Sequence, residues 1–464
     1  MAPSFASLFG PNYRALMVAA LGATFLGSLD ALMVVTALPS AAQDIGGVDL
    51  IALAVGAVMV TIVMTLPIAG GIIDRRGAAP SFAVACTLFT VANIIGGLAP
   101  SMPVLAFARA VLGLGAGFMF AVPVGLFALY IPDALRPRAF GLNAAMWGVS
   151  AVIGPALGAL LTGSVGWRWV FWINLPMIAI VAVAARMAFA KHPARVPQET
   201  RPLNIVGPVL LGLAVLTLLL PDRSLAMLFV VPAVLFVIQE RRTDAPVFTH
   251  RRRSLAANVA AFAGGAAFMG AETYLPLQLQ VGYGHSVWVV GLALVLATLG
   301  WTTGSMTAAR VGADAGDQIL VGTVLVAVAT LVMAVPAPAV VPVLAYAVAG
   351  LGMGIVSPAL FGVVLEDGEA GREGQATSSI PLSRQVGSGM GIAIAGAVFA
   401  ASLSHAALRA AEHSGAHVPS VVPAARISYF AAGLMGLVGV AACRWLRRST
   451  AQETVAAAPD RAAA

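Results

Sequence analysis

Residues 15–39 read ALMVAALGATFLGSLDALMVVTALP, and the one charge among them is Asp30. Residues 255–282 read LAANVAAFAGGAAFMGAETYLPLQLQVG, where the one charge is Glu272. Both stretches reach the roughly 17–25 residues that a helix needs to cross bilayer hydrocarbon. Of the chain's 19 acidic residues, these two alone lie near the middle of long apolar segments. Each lies some 15 to 19 residues beyond an arginine flank (Arg14; Arg251 to Arg253) and precedes a Leu-Pro step (Leu38-Pro39; Leu275-Pro276). A charge at mid-bilayer costs about 2.5–3.5 kcal/mol on insertion scales, so by default it marks an ion or substrate path. Two acids at matching depth point to a proton-coupled carrier built from a repeat.

The rest of the chain repeats the pattern. Its 464 residues are 60% hydrophobic and 10% charged, with mean hydropathy +0.94, against roughly 45–50% apolar residues in soluble domains. An all-α integral membrane protein follows. Apolar segments fall near 15–39, 50–73, 80–98, 103–131, 139–163, 168–190, 203–221, 224–239, 255–282, 286–308, 318–336, 339–363, 380–402 and 425–446. That makes about fourteen spans. The eighth is short and holds Pro232, so twelve spans with an irregular hairpin is the alternative. The first exceeds the apolar stretch of a signal peptide, and no clean cleavage site follows it.

Arginine placement gives the orientation. Counted from an inside N-terminus, the cytoplasmic segments receive Arg75, Arg76, Arg136, Arg138, Arg186, Lys191, Arg195, Arg201, Arg241, Arg242, Arg251 to Arg253, Arg310, Arg372, Arg444, Arg447 and Arg448. The outer loops keep little beyond Arg168, Arg223, Arg409 and Arg426. That asymmetry places both termini in the cytoplasm. The net charge of +7 then reflects topology and attraction to an anionic inner leaflet, not a nucleic-acid face, which needs clustered basic and aromatic residues on a soluble surface. Lys191 is the only lysine and no Walker-type loop precedes it, so no ATPase site or other cofactor is expected. His405, His413 and His417 share an outer loop without a cysteine to complete a metal site. Cys86 and Cys443 fall in spans as apolar fillers. The acids Glu366, Asp367, Glu369 and Glu373 read as a flexible cytoplasmic loop, and residues 449–464 as a disordered tail.

An internal repeat sets the domain plan. Residues 110–117 (AVLGLGAG) resemble residues 347–354 (AVAGLGMG), and Pro123 and Pro358 follow them. The offset is close to that between Asp30 and Glu272. Two six-span halves, 1–200 and 251–448, then flank an inserted pair within 201–250. Parallel repeats of this kind hold substrate at midplane between halves that rock. Similarity by composition alone is the alternative, because glycines let any membrane helices pack closely.

Gly70-Gly71-Ile72-Ile73-Asp74-Arg75-Arg76-Gly77 resembles the GxxxD(R/K)xG loop of the major facilitator superfamily, with Ala78 and Ala79 where a further basic residue is usual. Its echo around Arg310 lacks the acid. Arg109 with Gly113 and Gly115 resembles the fourth-helix RxxxGxG. Gly141, Ser150, Gly154-Pro155 and Gly158-Ala159 resemble the fifth-helix antiporter motif, with Ser150 and Ala159 replacing glycines. Residues 166–176 (GWRWVFWINLP) are similar to the WRW-F--N-P segment of the sixth helix, and Leu29-Asp30 with Ala37-Leu38-Pro39 to the first-helix motif of the fourteen-helix drug:proton antiporters. The chain is thereby identified as a member of that family, less closely matched in its C-terminal half.

The resemblance implies a proton-coupled exporter of amphipathic small molecules, cations and drugs among them, in a bacterial inner membrane. An exporter of an endogenous metabolite, antibiotic, siderophore or lipid on the same fold is the alternative, with a symporter or uncoupled facilitator behind it. Substrate, protons and lipid are the partners implied, with no nucleic acid and no obligate protein. Apolar surroundings favour a neutral carboxyl and a nearby cation the carboxylate, so an acid whose surroundings alternate can take up and release protons. Asp30 and Glu272 are the candidate carriers. Arg109 either modulates them or snorkels to the membrane surface. Gly70, Asp74, Arg75 and Gly77 form the switch loop, and Gly154, Pro155 and Gly158 the antiporter motif. Trp147, Phe268, Met269 and Arg384 are candidate cavity residues, with Arg384 alternatively a topological anchor. Trp167, Trp169 and Trp172 read as interfacial belt residues.

Overall fold

The computed structural model describes residues 5–46, 50–191, 203–219, 228–244, 246–248, 251–311, 314–369, 371–402 and 419–456. Arg195, Arg201, Arg223, Arg409 and the three loop histidines fall outside them. Every regular element among the described residues is helical. In hydrocarbon no water can satisfy a backbone N–H or C=O, so apolar runs must close their hydrogen bonds within one segment.

Seven helices cover the first part of the chain: α1 Arg14–Ile45, α2 Ile51–Arg76, α3 Ala78–Gly97, α4 Met102–Tyr130, α5 Arg136–Ser164, the short α6 Trp169–Trp172 and α7 Asn174–Lys191. Two short ones follow, α8 Val206–Leu219 and α9 Val230–Arg242. Then come α10 Arg252–Leu277, α11 Val287–Val311, α12 Ala315–Met333, α13 Val340–Glu366, α14 Glu373–Ala401 and α15 Val421–Ala456. Prolines 67, 123, 155, 276 and 358 lie inside helices. After Pro276 the chain widens into a π-helical turn, Gln278–Gly282, which accommodates the lost bond.

Eleven described stretches are long and apolar enough to cross a membrane. They lie on α1 to α5, α6 with α7, α10 with its π-helical turn, α11, α12, α13 and α15. The three remaining expected spans differ. Helices α8 and α9 have only 14 and 13 residues, and α14, although 29 residues long, opens with the polar run EGQATSSIPLSRQ.

The acidic loop is also more ordered than its composition suggests. Glu373 begins α14. Asp367 is buried, and its carboxylate accepts the N–H of Ser254 at 2.9 Å and its hydroxyl at 3.2 Å, which caps the start of α10. Arg253 pairs with Glu366 at 3.1 Å and Asp367 at 3.7 Å. Helix starts favour an anion for reasons of dipole and unpaired N–H groups. Helix α15 runs through 449–456, past the expected beginning of a tail, because AQETVA consists mostly of good helix formers.

The chain divides into two compact units, Met1–Val247 with Gly368–Leu382, and Phe248–Asp367 with Ser383–Ala464. Residues 368–382 thus pack with the first unit, not with the half to which sequence order assigned them.

Glycines set helix contacts in the same manner inside each unit. In the first, a Cβ on Gly113 would strike Val58 and Thr61 of α2, and one on Gly117 would strike Thr65; Gly115 faces Phe89 and Leu88 of α3. In the second, Gly350 and Gly354 lie against the backbones of Ala297 and Trp301 in α11, and Gly352 against Gly322 of α12. From the other side, Gly300 and Gly304 of α11 meet the backbone of Ala347 and Leu351. Helices α11 and α13 therefore touch backbone to backbone.

Candidate functional site

Asp30 has no exposed surface. Its Oδ2 accepts a hydrogen bond from Arg109 Nη1 of α4 at 2.8 Å. Its Oδ1 accepts one from Asn174 Nδ2 of α7 at 2.7 Å, and the same amide donates to Asn93 Oδ1 of α3 at 2.8 Å. Asn93 is anchored in turn by donating to the Phe89 carbonyl. Side chains of four helices thus join in one network, two of them donating directly to the carboxylate. Arg109 is 3% exposed, so it is a buried counter-ion and does not snorkel. A buried pair persists only when further hydrogen bonds support it, and Asn174 supplies one.

Sequence reading picked out Asp30 and Arg109 but gave no role to Asn93 or Asn174. The available signal was weak: Asn93 is the one amide in the apolar stretch 80–98, and Asn174 sat within a longer motif. The amide of Asn174 can present N–H to a carboxylate or, after a half-turn, C=O to a protonated carboxyl. Its Oδ1 is buried and without a partner, as is Arg109 Nε.

Helix α5 braces α1 beside this cluster. Gly154 faces Leu32 and the Leu29 carbonyl, and Gly158 faces Met33 and Thr36. Ser150 hydrogen-bonds Ser28 at 2.6 Å. Pro155 points away from this contact and is exposed. A Cβ at position 158 would lie 2.6 Å from the Met33 carbonyl oxygen, whereas one at 154 would come no closer than 3.0 Å to Leu32 Cβ. Gly158→Ala is therefore expected to lower the melting temperature in detergent, and the export rate, more than Gly154→Ala does. Overpacking of this kind costs about 1–3 kcal/mol. Equal effects would show that α1 yields at both contacts. Trp147 of α5, half-buried, packs its ring 5.3 Å from that of Phe120.

The second unit holds Glu272, half-buried on α10. Tyr346 of α13 donates its hydroxyl to Glu272 Oε2. The Tyr346 ring stacks on Phe268 at 4.8 Å, and Phe268 meets Trp301 of α11 edge-on at 5.5 Å. The Arg384 guanidinium lies 5.6 Å from the Trp301 ring centre. Sequence reading had Glu272, Phe268 and Arg384 but not Tyr346 or Trp301, which complete the run. Met269 packs on the apolar core of that unit, to which Phe268 and Tyr346 themselves belong.

The Major Facilitator Superfamily model matches residues 20–392. The chain belongs to that superfamily. It is a multi-pass membrane protein of a family whose members carry small molecules. Among curated relatives it is 25% identical to Multidrug resistance protein 3 of Bacillus subtilis over 80% of this chain and 77% of that one. It is 27% identical to the multidrug transporter protein MdtP of the same organism over 81% and 73%. It is 31% identical to the putative multidrug resistance protein MdtD of Escherichia fergusonii over 60% and 62%. The human organic anion transporter MFSD10 (TETRAN) shares its fold, with TM-score 0.68 and 17% identity over 93% of this chain and all of that one.

In this superfamily member the loop between α2 and α3 turns at Gly77, whose φ of 82° only glycine adopts without strain. Asp74 does not engage Arg75. Its two carboxylate oxygens accept the backbone N–H groups of Gly374, at 2.6 Å, and Gln375, at 2.8 Å. Asp74 thereby caps the start of α14 inside the first unit. Gly70 makes room for it, because a Cβ there would lie 2.5 Å from the Gly374 carbonyl and from Ser378 Oγ.

The chain's three candidate belt tryptophans also divide. Trp167 is 5% exposed and donates its indole N–H to Asp44 at 3.0 Å. Arg168 donates to the same carboxylate at 2.6 Å and lies 4.3 Å over the Trp167 ring. The Arg168 and Trp167 hydrogen bonds hold the Asp44 carboxyl below the usual carboxylate range. Trp169 is half exposed, as a belt residue would be.

Proposed function

We propose that this chain is a proton-driven exporter of amphipathic small molecules, drugs among them, working by alternating access in a bacterial inner membrane. The observation that carries the reading is the Asp30 cluster: a fully buried carboxylate held between a cation and a reversible amide. Protonation of Asp30 removes half of the Arg109 pair, and rotation of the Asn174 amide accommodates the new O–H. Release of the proton restores the pair. Glu272, with Tyr346 donating to it, is a second carboxylate for which a proton and a cationic substrate compete.

The multidrug names of the relatives support drugs as the substrate class. The matching glycine contacts of α4 and α13 support two halves related by an internal repeat. We take α8 and α9 as the pair inserted between two six-helix halves, which gives fourteen spans in all. Both termini then face the cytoplasm. The proton gradient is the energy source, no cofactor takes part, and the chain needs no obligate protein partner.

Inverted vesicles containing the chain, energised only by an imposed pH gradient, test the reading. A fluorescent cation should move in the wild type, stop with a proton ionophore, and slow at least about tenfold in Glu272→Gln. Movement that persists with ionophore and in Glu272→Gln would replace proton antiport with facilitated diffusion.

A further inference from the structure

We propose that the substrate is zwitterionic: a planar aromatic body with a cationic group at one end and an anionic group at the other. This rests on the reading above that the Glu272 face of the second unit binds substrate, and it names the chemistry that face selects. Gly265, Phe268 and Glu272 stand at i, i+3 and i+7 of α10, so they share one helix face. Glu272 presents a carboxylate at one end of that face. At the other, Gly265 has no side chain and Arg384 fills the space, its Cγ 3.0 Å from where a Cβ would stand. Seven residues at 1.5 Å rise separate the two ends by about 10 Å along the helix.

Between them Tyr346 stacks on Phe268, both buried in the unit's apolar core, and Phe268 meets edge-on the partly buried Trp301, over which Arg384 lies. Among the described residues no carboxylate pairs with Arg384, and its guanidinium donates no hydrogen bond. Its one described neighbour of electrostatic consequence is the Trp301 face. Asp30 shows how this chain treats a buried arginine that needs a permanent partner: it supplies one at 2.8 Å. Arg384 has been left to a partner from outside. A forked guanidinium suits a carboxylate or phosphate, which it can bind with two parallel bonds, and the partly buried Trp301 ring beside it suits an aromatic body. The Glu272 carboxylate takes the cation. A simple lipophilic cation would leave Arg384 unused and would bring a second positive charge toward it.

Three dyes on one xanthene frame separate the possibilities: a diaminoxanthene with a free benzoate (zwitterion), its methyl ester (cation) and fluorescein (anion). Equilibrium binding to the purified full-length chain and export into pH-energised vesicles are both read. The zwitterion should bind at least about tenfold tighter than either relative, the effect of one charge-assisted contact. Arg384→Gln should erase its advantage over the methyl ester, and Arg384→Lys should restore part of it. If the methyl ester binds as tightly as the zwitterion, or Arg384→Gln leaves their ratio intact, the proposal falls. Failure to bind any of the three overturns it equally. Because binding needs no gradient, a preference for the zwitterion without pH-driven export would remove proton antiport and leave the zwitterion site standing.

Discussion

Asp30→Asn is expected to abolish pH-driven export and to lower thermal stability at the same time. The substitution keeps the shape but removes the charge that balances Arg109, which is 3% exposed. Breaking one partner of a buried pair costs about 3–5 kcal/mol, because the other charge is left without compensation. The Asn174 amide would also meet a side chain whose two ends are no longer both acceptors. Stability and transport should then separate in a double variant. Asp30→Asn with Arg109→Gln removes both charges and should recover most of the melting temperature, while export stays lost. Thermal melts in detergent and dye export from vesicles read the two quantities independently. Recovery of export in the double variant would mean that the pair holds the helices together and carries no protons.

Asp74→Ala is expected to loosen the start of α14 and slow export, at a position outside both candidate carboxylate clusters. Both of its oxygens are used by backbone N–H groups at the start of α14. Loss of such a cap costs about 0.5–2 kcal/mol, and the anion–dipole attraction is lost with it. The readout is local: hydrogen exchange at Gly374 and Gln375 should accelerate about tenfold or more, with a fall in export rate. Gly70→Ala should show the same signature through crowding of the Gly374 carbonyl, although Asp74 is intact. Unchanged exchange at those amides in Asp74→Ala would show that the cap has no energetic weight.

The two acids were legible because charge in an apolar run is conspicuous at any register. Their partners were not. Arg109 and Asn174 lie 79 and 144 residues from Asp30, and Tyr346 lies 74 from Glu272. Which residues meet depends on how each helix is rotated about its axis. In a soluble helix the apolar stripe reports that rotation, but helices that are apolar all round carry no such mark. Asp74 illustrates the same blindness. The neighbouring Arg75 offered an obvious partner, yet the carboxylate reached backbone N–H groups 300 residues away, and no sequence pattern names a backbone donor. Packing by small residues was easier to read, since the glycines of 110–117 and 347–354 could serve only close contact. That contact turned out to be shared out identically among neighbours in the two units.

The bare crossing of α11 and α13 separates two kinds of change in the protein's history. Trp301 and Tyr346 sit on helices whose spacing is fixed by Gly300, Gly304, Gly350 and Gly354, not by their own side chains. On the function proposed above, exchanging the partly buried Trp301 alters what the face recognises without touching those glycine contacts, whereas Tyr346 is also part of the unit's buried core. Exchanging a glycine moves the frame and every ring with it. New specificities can therefore accumulate one residue at a time on a scaffold that tolerates almost no drift, which is how a single architecture can serve many different cargoes.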